Sequence, residues 1–290
     1  MTDTGVWVYA IADHPGGGEV FLPGGVAGTA VRCVGAAGLA VLASDVDLAE
    51  FGEAALRRNL ENLAWLEEVA RAHHNVVNAA ARLFPVLPAR FATVYSGDVT
   101  MVHAFAERAG QLRAALARVG GRMEWGVKAY AVPARGGDRS SRVRQYAAAP
   151  LAVGARTGAI AGAGAGAGTE PGARAEPGAR AEPGAGMAYL KQRRAQICAK
   201  RESSRTAAAS AREVHVELSG HAAQARLYPP QAPSLSGVKA PMLLNAAYLL
   251  DAGGAAGFAS AVAAAATAHP DLRLDLTGPW PPYSFTGQEG

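Results

Sequence analysis

Residues 242–276 read MLLNAAYLLDAGGAAGFASAVAAAATAHPDLRLDL, and they decide the fold of the C-terminal half. Met242 to Leu250 is an apolar run of strand length, Ala255 to Ala268 an alanine-rich helix, and Leu272 to Leu276 a second strand. Upstream lie a short extended piece at Arg226 to Tyr228 and a proline-free stretch from Met187 to about Gln224. That stretch is rich in helix formers and predicts one long basic helix. Glu124 to Val132, EWGVKAYAV, alternates in character and predicts a strand. From Glu124 onward the order is βαββαβ, which predicts a ferredoxin-like arrangement of two helices on one face of a four-stranded antiparallel sheet.

The N-terminal half predicts a mixed α/β domain. Val6 to Ala12, VWVYAIA, reads as a buried strand. Thr29 to Val34 and Leu39 to Ser44 read as an antiparallel pair joined by the small residues 35–38. Apolar residues from Leu56 to Ala80 recur at helical spacing without Gly or Pro before Pro85, predicting one long helix. Val86 to Tyr95 then predicts a strand whose proline places it at an edge or makes its start irregular, and Asp98 the N-cap of a second helix that Gly120 and Gly121 close. The expected fold class is therefore α+β, with an N-terminal α/β domain over 1–123 and a C-terminal ferredoxin-like domain over 124–290.

Between the first strand of the second domain and its long helix, residues 135–186 carry an Ala-Gly tract and EPGARA hexapeptides. Too poor in bulky apolar groups to order themselves, they predict a disordered insertion. Positive charge concentrates around it. Residues 131–213 hold 14 Lys and Arg against 6 Asp and Glu, whereas both flanks are slightly acidic, so the net +4 describes the middle of the chain. Cys33 and Cys198 are the two cysteines, in dissimilar surroundings, and predict reduced thiols rather than a disulfide framework. The N-terminus shows no signal-peptide pattern, and no apolar run reaches the ~20 residues of a spanning helix.

Motifs for catalysis are absent. There is no GxSxG, GxGxxG or GxxxxGK[ST], and His73 and His74 are adjacent, so on a helix they diverge by about 100° and do not chelate one ion. His73 continues the apolar stripe and is expected to pack; His74 leaves it. The basic helix has two readings: a solvated face, or an anion- or nucleic-acid-binding element over 187–213. The chain lacks the surface aromatics of a base-stacking sheet, which disfavours nucleic acid. In the tail GPWPPYSF, 278–285, Trp280, Pro282, Tyr283 and Phe285 either fold back onto the sheet or present a stiff aromatic patch to a partner. Arg90 and Lys128 fall on expected strands, where ion pairs with Asp45 or Glu124 would satisfy them.

EWGVKAY at 124–130, RAHHNVV at 71–77, PVLPARFATV at 85–94 and GPWPPYSF at 278–285 together resemble the gas vesicle protein F/L family. VWVYAIA and AWLEEVARAHH agree, so the resemblance covers both halves outside the insertion. The chain departs from the family at Ala92, where glycine is usual, and in its long insertion. The resemblance implies a non-enzymatic accessory or minor structural protein of gas vesicle assembly, without cofactor or metal, cytoplasmic and associated with gas vesicles. It implies binding to the small hydrophobic shell protein and to other accessory proteins. Trp280, Pro282, Tyr283, Phe285, Arg90 and Lys128 are the candidate protein-binding residues, and the edge strand and aromatic tail the candidate surfaces.

Overall fold

In a computed structural model the chain forms two sheets with helices packed against each, and residues 3–13, 22–132, 143–146 and 185–287 are described. The first sheet is built on β1 (Thr4–Asp13), whose apolar core is buried on both faces. β1 pairs antiparallel with β3 (Leu39–Asp47), which pairs with β2 (Arg32–Ala36) through a tight hairpin. Ala37 and Gly38 both take positive φ at that turn, at 49° and 76°, the backbone a two-residue hairpin demands.

Two short helices follow, α1 (Leu48–Phe51) and α2 (Glu53–Asn59), then α3 (Leu63–Leu83). The single helix expected from Leu56 is thus broken. The Asn62 carboxamide oxygen accepts from the amides of Ala64 and Trp65, so this residue starts a new helix where periodicity alone runs through. The expected strand Val86 to Tyr95 is likewise split into β4 (Val86–Pro88) and β5 (Val94–Tyr95), both paired with β1. Between them Thr93 closes a turn onto the Arg90 carbonyl, with Ala92 at φ 62°. α4 (Asp98–Glu107) and α5 (Ala109–Val119) replace one expected helix and meet at Arg108. Gly97, not Asp98, is the N-cap; the Asp98 carboxylate instead holds Arg32 at 2.8 Å. α3 covers one face of this sheet, and α4 and α5 cover the other.

The second sheet begins with β6 (Arg122–Ala131). Most of the expected insertion, 135–186, lies outside the described residues, but Val143–Tyr146 forms β7, a correction to that expectation. β7 runs parallel to the last strand of the chain, and this long-range pairing gives four residues an order their local sequence does not signal. α6 (Ala185–Ser219) follows, then β8 (Gln224–Leu227), the short α7 (Pro233–Ser236), β9 (Met242–Asp251), α8 (Ala255–Ala268) and β10 (Leu272–Trp280). The strand order is β7-β10-β6-β9-β8. α8 and the C-terminal part of α6 lie on one face, closing a core around Trp125, Val214, Leu218, Tyr248 and Phe258. On the opposite face Ala247 and Leu249 join the core that α4 and α5 form on the first sheet, with Val8, Leu87 and Leu116.

Candidate protein-binding surface

The tail is folded back. Gly278 opens it with φ 128°, a conformation L side chains rarely adopt, and a Cβ there would press to 3.0 Å on both the Glu124 carbonyl and the Trp125 ring. Trp280 pairs with Glu124 across the ladder, Pro281 and Pro282 are buried, and Tyr283 to Phe285 form one 3-10 turn. Phe285, 7% exposed, completes the core shared by the two sheets. Two polar ties hold the turn. The Glu124 carboxylate accepts from the Ser284 amide at 2.7 Å and hydroxyl at 2.6 Å, and Arg226 of β8 donates to the Ser284 carbonyl at 2.9 Å. Burial raises the Glu124 pKa, while the Ser284 hydrogen bonds and the Arg226 charge oppose that rise.

His74 lies against this tail, which corrects the expectation that it leaves the packed face. It is 4% exposed, with the Trp280 ring at 5.4 Å and the Tyr283 ring stacked at 6.3 Å. Neither of its ring nitrogens has a hydrogen-bond partner among the described residues. His73 packs as expected, accepting from the Trp7 indole at 3.1 Å. Burial drives both histidines toward the neutral form, and the His73 pKa falls to about 3.

Lys128 lies on the face of the second sheet that carries Glu124. It donates to Gln231 at 3.0 Å rather than pairing with Glu124, and Asp275 is its neighbouring charge. Burial lowers its pKa against the opposing pull of that carboxylate. Asp275 is itself held by two 3.1 Å bonds from Arg273, whose guanidinium lies 4.5 Å over the Tyr130 ring. Arg90 belongs elsewhere: exposed on the turn between β4 and β5, it forms no ion pair among the described residues, and Asp45 is taken by Arg32 at 2.6 Å.

The tail and Lys128 thus converge on β8 and the loop after it, through Arg226 and Gln231. β8 pairs with β9 alone, so it is an open edge among the described residues. Leu227 and Tyr228 stand 58% and 36% exposed there. The Tyr228 amide donates to Asn245, so by ladder alternation the Leu227 amide faces the open side. The sequence marked 226–228 only as an extended piece; its edge position depends on strand order. Among the described residues no three His, Cys, Asp or Glu gather as a metal site, and no helix is long and apolar enough to cross a membrane.

Two α-helix-covered sheets locked by an aromatic tail define a two-sheet α+β protein. The family described as gas vesicle synthesis protein GvpL/GvpF matches residues 5–287. Gas vesicle protein L of Streptomyces sp. (strain CB03234) is 32% identical over 263 residues, covering 91% of this chain and 85% of that protein. The chain belongs to the GvpL/GvpF family. Its fold is similar to the crystal structures of gas vesicle protein GvpF from Anabaena sp. PCC7120 and from Microcystis aeruginosa. Their TM-scores are 0.59 and 0.56 at 17% and 18% identity, covering 99% and 97% of this chain and 98% of each of theirs. The family takes part in gas vesicle formation and is not a known enzyme class.

Proposed function

We propose that this protein binds the small hydrophobic shell protein of gas vesicles through the open edge of β8, and so helps nucleate or form the vesicle. The observation that carries the reading is that edge: backbone unpaired among the described residues, beside the exposed Leu227 and Tyr228. An apolar subunit with strand edges of its own is served by strand addition, in which backbone hydrogen bonds give affinity and flanking apolar contacts give specificity. In this reading Trp280, Pro282, Tyr283 and Phe285 brace the edge from behind, Lys128 and Gln231 bound it, and Arg90 offers a separate contact on the first sheet. The chain is read as two domains, 1–123 and 124–290, the second ferredoxin-like, with its outer strand as the docking edge. Other accessory proteins of the vesicle are further partners.

Co-expression with the major shell protein and affinity capture at low and high salt tests this. Capture is expected to survive high salt. Leu227→Pro removes the outward amide and leaves the β9 ladder intact, so it is expected to abolish capture without lowering the melting temperature. Undiminished capture by the folded variant would sink the β8 assignment, and capture lost in salt would replace backbone and apolar contact with charge.

A further inference from the structure

The first part of α6 packs against nothing among the described residues. Every described side chain from Met187 to Thr206 is exposed, and burial begins only at Ala207, continuing through Ser210, Ala211, Val214 and Leu218. At 1.5 Å per residue this is about 30 Å of helix standing clear of the fold. Helical stability in proteins comes mostly from a packed apolar face. Here such a face exists without a partner among the described residues. Leu190 and Ile197, 61% and 48% exposed, stand seven residues apart on one side, and Met187, 68% exposed, lies one turn before Leu190.

Charge says what would cover that row. Lys191, Arg193, Arg194, Lys200, Arg201 and Arg205 face a single carboxylate, Glu202. A second copy of this helix would set like charges against each other. A lipid surface asks for an apolar face at least ~100° wide, often with Trp or Phe, whereas Arg194 and Arg201 interrupt this narrow row. Nucleic acid would take the charges and leave Leu190 and Ile197 unused. An opposing helix with apolar residues at heptad spacing and carboxylates beside them satisfies both features.

We propose that residues 187–206 dock an acidic amphipathic helix of another protein, at a surface separate from the β8 edge. The test uses the whole chain and a labelled three-heptad peptide with leucines at the core positions and glutamates flanking them. A control peptide has the same composition with the leucines dispersed. Fluorescence anisotropy is expected to show the patterned peptide binding about tenfold tighter than the control, with slowed hydrogen exchange confined to 187–206. Leu190→Ser with Ile197→Ser is expected to erase that preference, and Arg194→Gln with Arg201→Gln to weaken binding and reduce its salt dependence. Both double variants should melt like the parent, because these side chains are unpacked. Equal binding of the two peptides, unaltered binding by the leucine and isoleucine variant, or preferential binding of duplex DNA or phosphatidylglycerol vesicles would overturn the proposal.

Discussion

The Glu124 carboxylate receives both donors of Ser284, the amide at 2.7 Å and the hydroxyl at 2.6 Å, across 160 residues of chain. One oxygen takes each donor, so a single side chain of β6 ties down the 3-10 turn of the tail. Glu124→Ala leaves both donors without this acceptor in a half-buried place, at a cost of about 1–3 kcal/mol. The expected signature is a lower melting temperature together with faster amide exchange at Ser284 and its neighbours.

Phe285 is the tail's deepest anchor. Phe285→Ala is expected to lower stability by about 3 kcal/mol or more, the range for emptying a buried aromatic site. Because it belongs to the one core that holds Val8 of the first sheet, Leu116 of α5 and Leu249 of the second sheet, denaturant melting should lose cooperativity between the sheets. A small, single-step shift would mean the tail is not what joins them.

His73 and His74 make stability depend on pH in one direction. Their folded pKa values lie below the ordinary 6.5, so the unfolded chain takes up protons first. Their contribution is complete above about 6.5 and declines as pH falls through the window toward the His73 value of about 3. The groups facing His74 are His73, Trp280 and Tyr283, with Glu124 beside Tyr283. His74→Phe keeps the ring contacts and removes two nitrogens that have no hydrogen-bond partner among the described residues. It is expected to stabilise by about 1 kcal/mol at neutral pH and to flatten the acid limb of a stability-versus-pH curve.

Ala92 holds φ 62°, a left-handed conformation that costs a non-glycine residue about 1–2 kcal/mol. Ala92→Gly is expected to raise the melting temperature by about 3 °C, since a chain of this size moves roughly 2–4 °C per kcal/mol. An unchanged or lower value would show that the flexibility glycine adds to the unfolded chain outweighs the relieved strain.

Local pattern carried much of this fold. The strand at VWVYAIA, the antiparallel hairpin after it, the helix at Ala255–Ala268 and the two strands flanking that helix were all legible, because apolar periodicity and turn residues act over a few positions. The four family blocks were legible too, and with them membership of the gas vesicle family. Tertiary structure decided what local pattern leaves open. It ordered Val143–Tyr146 by pairing them with β10, and it turned His74 inward because Trp280 and Tyr283 arrive there from the far end of the chain. It sent Lys128 to Gln231 and Glu124 to Ser284 instead of to each other, and it made Arg226 to Tyr228 an edge. The physical reason is common to all of these: periodicity selects which face of an element is apolar, whereas the neighbour that face or edge meets is set by strand order and register between segments more than a hundred residues apart.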